Sequence, residues 1–170
     1  IEIGSIYSLF SVNPVEKFRT GLAIRTSNAF SRRIEFGGRL YYGFGDERFK
    51  YGLTTRINIT PKKRGLLILY GNRDIEQIGI SPTAAAVGST FSSLLRTGPL
   101  DKLTFVDKAG INLEKDFGKD FVVFGGFEWK EYTPLGLATY ERRNEFGALD
   151  TIKHIQSSEV TLRFRWCKDE

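Results

Sequence analysis

The sequence predicts an all-β fold, an antiparallel up-and-down barrel of about eight strands with one short helix in a long loop. Two observations lead to this prediction. Apolar residues recur at every second position through several runs, which is the period of a strand with two unlike faces. The 170 residues also include 14 Phe, 7 Tyr and 18 Gly but only 5 Pro and no Met, and aromatic residues favour strands.

The strands follow one another along the whole chain. The most regular run is Ile34–Phe44, where Phe36 and Leu40 alternate with Glu35 and Arg39. In order, the predicted strands are Ile3–Val12, Phe18–Thr26, Ile34–Phe44, Phe49–Ile59, Leu66–Arg73, Leu103–Leu113, Phe121–Tyr132 and Val160–Trp166. We therefore expect one barrel domain, or one segment of a larger barrel, over residues 1–170, and we expect it to be part of a longer chain.

The connections between the strands differ in length. Five are short and rich in turn-forming residues: Asn13–Lys17, Ser27–Arg32, Gly45–Arg48, Pro61–Gly65 and Lys115–Asp120. Two are long, Asp74–Lys102 and Thr133–Ser157, and the first predicts a short helix from Pro82–Thr83. Because alternate connections of a meander share one end, both long connections are expected on the same side, as in many membrane barrels.

The period of two does not say whether the apolar face is a core or a lipid surface. Three features favour lipid: the runs Ile34–Phe44 and Phe49–Ile59, which have about the length that a tilted membrane strand needs, aromatic residues at strand ends, and a polar face of Arg and Gly. The fold class is then a transmembrane β-barrel. The predicted lumen-facing residues are Arg19, Arg25, Glu35, Arg39, Arg56, Arg163 and Arg165. The predicted lipid-facing aromatic girdle is Tyr42, Phe44, Phe49, Tyr51 and Trp166.

The arginines of the polar face have two interpretations. Lining a lumen, they would favour anions. They could instead be structural, paired with carboxylates of the same face, and we favour this role because Glu35, Glu128 and Glu159 are predicted to face the same way. The arginines are spread singly along strands, so nucleic-acid binding is not expected despite a net charge of +5.

No motif indicates catalysis. His154 is the one histidine and Cys167 the one cysteine, so neither a cysteine-based metal site nor an internal disulfide is expected. We predict no catalytic residues, no metal and no cofactor. The weak exception is an outer-membrane hydrolase that would pair His154 with a serine of the 84–93 loop.

The stretch from Asn13 to Thr60, followed by LLILYGNRDIEQIG, resembles the barrel region of a family of outer-membrane proteins of unknown function. The shared features are an Asn-Pro-Val-Glu turn before an arginine-bearing strand, the YGFGDERFKYG hairpin, and the later strand EVTLRFRW. This resemblance implies a protein of Bacteroidetes with an N-terminal carboxypeptidase-like regulatory domain and a barrel distantly similar to BamA-like surface-antigen barrels.

Together these features predict a protein of the bacterial outer membrane that has no chemistry of its own. It would act as a membrane anchor or as a component of a transport or assembly machinery. Its partners would be the lipid bilayer and other outer-membrane or periplasmic proteins. The alternative is a soluble lipocalin-like β-barrel that binds a small apolar ligand.

Overall fold

The described part of the chain is built from β-strands. A computed structural model describes residues 1–3, 10–13, 15–60, 65–77, 103–117, 120–135, 139–143 and 147–166. Within these ranges there are eleven strands and no helix. The strands are β1 (Glu2–Ile3), β2 (Phe10–Asn13), β3 (Lys17–Arg25), β4 (Ile34–Gly43), β5 (Arg48–Asn58), β6 (Gly65–Gln77), β7 (Leu103–Phe117), β8 (Phe121–Pro134), β9 (Tyr140–Arg143), β10 (Leu149–Ile152) and β11 (Ile155–Trp166).

Nine of these strands form one antiparallel meander. Their order is β1-β3-β4-β5-β6-β7-β8-β11, with β2 also paired to β3, and every pairing is antiparallel. In the described ranges, β11 pairs only with β8, and β1 and β2 pair only with β3. The prediction of an antiparallel all-β fold is therefore confirmed, but these residues form an open sheet and no closed barrel.

The meander gives the sheet two unlike ends. The short-turn end carries the connections over residues 26–33, 59–64 and 118–120, and the long-loop end carries those over 14–16, 44–47, 78–102 and 135–154. Both long connections thus share one end, as predicted. The helix predicted from Pro82–Thr83 lies outside the described residues. Within the residues that the structure describes, no helix is long and apolar enough to cross a membrane.

The second long connection is more regular than the sequence indicated. It was expected to be irregular, but β9 and β10 form a two-stranded antiparallel hairpin within it. The two strands, YERR and LDTI, do not alternate apolar and polar residues, so the sequence shows no period of two there. The hydroxyls of Tyr140 in β9 and Thr104 in β7 lie 2.7 Å apart, so the hairpin contacts the main sheet at the long-loop end.

The register assigns each residue of the main sheet to one of two faces. Leu40 of β4 pairs with Tyr51 of β5, while Arg39 pairs with Gly52, so apolar positions line up with apolar ones. The same alternation continues across β6, β7, β8 and β11. One face is mainly apolar along its middle, and the other carries most of the charged side chains.

Contacts between distant strands give the direction in which the sheet curves. Arg19 of β3 forms a hydrogen bond of 2.7 Å to Asp74 of β6, three strand spacings away. A flat sheet would separate those strands by about 14 Å. Tyr70 of β6 similarly reaches Glu128 of β8 at 2.5 Å, across two spacings. Because these polar side chains converge, the sheet is concave on its polar side, and we call the two sides the concave polar face and the convex apolar face.

Glycines on the concave polar face make room for these long side chains. A Cβ atom on Gly110 would lie 2.4 Å from the Tyr70 ring, and one on Gly52 would lie 2.6 Å from Nε of Arg39. On the convex apolar face, a Cβ on Gly125 would meet nothing nearer than Leu162 at 3.7 Å. At Gly110 and Gly52 the absence of a side chain thus leaves space that Tyr70 and Arg39 occupy, whereas the outward-facing Gly125 has room for a Cβ atom.

The apolar core is small and lies at the long-loop end. Ile75, Leu103 and Phe105 are 3%, 7% and 2% exposed, and Val15 and Leu135 pack against them. Elsewhere on the sheet, large apolar side chains of the convex face are exposed rather than packed. Most of the apolar surface of the sheet therefore has no covering layer from the described residues.

Replacing Gly110 by Ala should destabilise the fold, because the new methyl group would overlap the Tyr70 ring. Overpacking of this kind costs roughly 1–3 kcal/mol in the free energy of unfolding. The matched control is Gly125→Ala on the convex apolar face, where we expect no loss or a gain of about 0.5–1 kcal/mol. Chemical denaturation measures both variants, and equal effects would refute the assignment of the two faces.

Candidate functional site

A buried ionic cluster joins three segments at the long-loop end of the concave polar face. The Lys50 ammonium lies 2.7 Å from Glu16 and 2.6 Å from Asp46, and Lys50 and Glu16 are both fully buried. The backbone N–H of Gly45 also donates to the carbonyl of Glu16 at 2.7 Å. The turn before β3 is therefore tied to the β4–β5 turn by a charge-paired contact that excludes water.

A second contact extends this cluster across the sheet. Arg19 makes two hydrogen bonds with the Asp74 carboxylate, at 2.7 and 3.2 Å, and also lies 3.6 Å from Glu16. Its guanidinium sits 4.0 Å from the centre of the buried Tyr41 ring. Bidentate pairing and stacking both depend on the planar guanidinium, so lysine could not replace Arg19 without loss.

The middle of the concave polar face holds a further network. Glu128 accepts a hydrogen bond of 2.5 Å from the Tyr70 hydroxyl and forms an ion pair of 2.7 Å with the Lys130 ammonium. Lys130 forms a second ion pair, of 3.0 Å, with Glu159. This network links β6, β8 and β11 through side chains.

The seven residues predicted to face a lumen all lie on the concave polar face, and their contacts differ. Arg19 pairs with Asp74, Arg25 with Glu2 at 2.5 Å, and Arg56 with Glu35 at 3.7 Å. Arg39 bonds to the amide oxygen of Asn72, and Arg163 lies over the Phe124 ring at 5.2 Å. No ion pair of Arg165 occurs among the described residues. Glu159 was expected to pair with an arginine, but it pairs with Lys130.

Sequence reasoning missed the residues that organise this face. Lys50 is one of the polar positions of the predicted strand Phe49–Ile59, Asp74 begins the predicted loop Asp74–Lys102, and Glu16 falls in the predicted turn Asn13–Lys17. One feature of the sequence does indicate the orientation of Lys50. It lies an even number of positions from Arg56 on the same strand, so both side chains point to the same, inward face. The sequence contained no indication of which acidic residues it would meet.

The five predicted girdle residues lie on the convex apolar face, in two places. Tyr42, Phe44 and Phe49 are in ring contact near the β4–β5 turn, with centroids 5.2 Å apart for Tyr42–Phe44 and 4.9 Å for Tyr42–Phe49. Phe10 and Phe18 extend this cluster across β2 and β3. Tyr51 follows on the same face, whereas Trp166, 72% exposed, ends β11 at the opposite, short-turn end.

Two aligned rows of side chains bound the apolar band on β7, β8 and β11. Asp107, Glu131 and Gln156 are register partners and form a polar row, in which Gln156 donates to Glu131 at 2.7 Å. Phe117, Phe121 and Trp166 form an aromatic row at the short-turn end. The convex positions between these rows are apolar or small, except for Ser158 and Lys115, and the Lys115 ammonium leans over the Phe117 ring at 5.2 Å.

The residues named for a hydrolase are only partly described. His154 is exposed beside the start of β11, and the serines of the 84–93 loop lie outside the described residues. In the described ranges, no three His, Cys, Asp or Glu side chains are grouped to hold a metal ion. What the geometry does supply is two surfaces, one charged and internally paired, the other apolar and uncovered.

These features define an all-β protein with a curved antiparallel sheet that is polar inside and apolar outside. Comparison with family models then gives the family. Residues 1–147 match the C-terminal domain of a family of unknown function, DUF5686, so the chain belongs to that family. No curated protein and no solved structure matches the chain.

Replacing Lys50 by Met should strongly destabilise the fold. The change would leave the buried carboxylates of Glu16 and Asp46 without their cation, and breaking a buried pair in this way costs about 3–5 kcal/mol. The measurement is the free energy of unfolding from chemical denaturation.

The matched control is Arg25→Met, which removes a cation from the pair with Glu2. Both side chains of that pair are about half exposed, so the loss should be much smaller than for Lys50→Met. Similar losses in the two variants would contradict the role assigned to the buried cluster.

Proposed function

We propose that this domain forms the wall of a transmembrane β-barrel in a bacterial outer membrane. It would serve as a membrane anchor or as a component of a transport or assembly machinery, without chemistry of its own. The observation that supports the proposal is the curvature: charged side chains pair on the concave side, and exposed apolar side chains cover the convex side. A barrel with this polarity suits a polar lumen and a lipid exterior.

The height of the apolar band supports the same proposal. From Asp107 to Phe117 on β7, and from Glu131 to Phe121 on β8, the polar and aromatic rows are ten residues apart. Ten residues span about 34 Å along an antiparallel strand, which a tilt of about 40° reduces to about 26 Å. Outer-membrane barrels have an apolar band about 25 Å tall.

The aromatic residues at both ends of the sheet are a third source of support. The ring cluster of Tyr42, Phe44 and Phe49 lies at the long-loop end, and Phe121 and Trp166 lie at the short-turn end. Aromatic side chains concentrate at both interfaces of a bilayer because one part of the ring is apolar and another tolerates water. We therefore propose that the two clusters sit at the two interfaces.

The soluble alternative, a lipocalin-like barrel, requires the apolar side chains on its concave side to enclose an apolar ligand. The concave side here carries Arg19, Lys50 and Glu128 in ion pairs, while Leu53 and Leu162 on the convex side are 66% and 68% exposed. This distribution of charged and apolar side chains is the reverse of what the soluble alternative requires, and it supports the membrane proposal.

We further propose the finer assignment that the resemblance implies. The parent would be a Bacteroidetes protein in which a carboxypeptidase-like regulatory domain precedes a barrel distantly similar to BamA-like surface-antigen barrels. Other outer-membrane or periplasmic proteins would then be its partners. The open edges of the described sheet are compatible with further strands completing the barrel.

A spin-label scan of β7 tests the membrane proposal. Cysteines at 111, 112, 113 and 114 are labelled one at a time in a Cys167→Ser background, with the protein reconstituted into phospholipid vesicles. Spin labels at Ile111 and Leu113 should collide more often with oxygen than with a water-soluble nickel chelate, because oxygen concentrates in lipid. Spin labels at Asn112 and Glu114 should show the opposite preference and collide more often with the nickel chelate.

The alternation itself provides the control, because neighbouring positions share the same depth and differ only in face. Four positions that are all accessible to the nickel chelate would contradict the membrane proposal. So would the reverse pattern, with oxygen favoured at Asn112 and Glu114.

A further inference from the structure

The concave polar face contains a cavity that its own side chains leave empty. Its volume is 390 Å³, and it lies over the strands from β3 to β7. The inward-facing residues that line it include Ala23, Gly37, Arg39, Ile68, Tyr70 and Lys108. The volume falls within the range of small-molecule sites.

Gly37 distinguishes this cavity from the rest of the concave face. At Gly21, Gly43, Gly52 and Gly110, an added Cβ would come within 2.6 Å of a neighbouring atom, so each glycine is covered by another residue. At Gly37 the nearest atom would be Cβ of Thr54 at 3.9 Å. The glycine at this position therefore leaves space that no side chain of the described residues takes up.

The charge around the cavity is positive. Arg39 and Lys108 line it, and no Asp or Glu does. Lys108 is neutralised by an ion pair with Glu76. Arg39 has no carboxylate partner among the described residues, and its one acceptor there is the amide oxygen of Asn72. A guanidinium has five N–H donors, so most of its donor capacity is not used by these residues.

Neighbouring residues also fix the position of the Arg39 side chain. Its side chain lies over Gly52, where an added Cβ would be 2.6 Å from Nε and 3.1 Å from Cγ. Asn72 on β6 then fixes the far end of the side chain, two strands away from its backbone. Such fixation lowers the entropy that a ligand would otherwise have to remove.

We propose that this cavity binds a small organic anion. A carboxylate or phosphate group would be held by the guanidinium of Arg39 through charge-assisted hydrogen bonds. The organic part would lie against Ala23, Ile68 and the ring of Tyr70, over the floor at Gly37. The site is on the concave polar face, so the proposal goes beyond the membrane placement and does not depend on it.

The direct test is titration calorimetry on the folded protein, with phenyl phosphate as the probe. Phenyl phosphate combines an anionic head with an apolar ring and should bind with a measurable Kd. Inorganic phosphate tests the anion alone and should bind more weakly. Benzyl alcohol tests the ring alone and should give no heat of binding.

Two variants and two matched controls localise the binding. Arg39→Gln should weaken phenyl phosphate binding at least about tenfold, since charge-assisted hydrogen bonds are lost. Arg56→Gln removes the same charge from the same face outside the cavity and should change Kd less than about twofold. Gly37→Val should fill the floor and abolish binding, whereas Gly125→Val on the convex face should leave it unchanged.

The Gly37 substitution should not prevent folding, because a Cβ at this position has room and valine favours strands. If Gly37→Val does not fold, Gly37→Ala carries the test and should weaken binding in a protein of unchanged stability. The proposal is overturned if phenyl phosphate does not bind at millimolar concentration, if Arg39→Gln and Arg56→Gln weaken its binding equally, or if a folded Gly37 variant binds it as tightly as the unaltered protein.

Discussion

The salt bridge between Arg19 and Asp74 is the contact on which the shape of the sheet depends. It joins β3 to β6 directly, although β4 and β5 lie between them. Such a contact is possible only if the polar side chains converge, and convergence makes the polar side concave. The glycines opposite Tyr41, Arg39 and Tyr70 follow from the same constraint, because a curved face has less room for side chains than a flat one.

The curvature determines how the fold is stabilised. A sheet with its polar face inside cannot bury a large apolar core, and the described core is one small cluster around Phe105 at the long-loop end. The interior is instead held by ion pairs and hydrogen bonds, most tightly at Lys50, which is fully buried between Glu16 and Asp46. Pairing inside the curve therefore contributes to stability, and the proposed bilayer would supply an apolar environment outside it.

The period of two was sufficient to predict β3, β4 and β5 and the division of their residues between the two faces, but it did not reveal β9 and β10. Ile34–Gly43 and Arg48–Asn58 lie within a residue of the predicted runs at each end. The end of β6 was missed because Asp74 and Glu76 look like loop residues in the sequence, whereas in the sheet they meet cations on the concave face. Partners such as Arg19 and Asp74, 55 residues apart, depend on curvature, which a local pattern does not encode.

The central claim, that the convex apolar face contacts lipid, can be measured with the native tryptophans. The chain has two, Trp129 and Trp166, and the register puts both on that face, near opposite ends of the apolar band. In vesicles of phosphatidylcholine brominated near the headgroup, the fluorescence of both should be quenched, and Trp129→Phe and Trp166→Phe would separate the two signals. Fluorescence that brominated lipid leaves unchanged, while aqueous iodide quenches it, would contradict the claim.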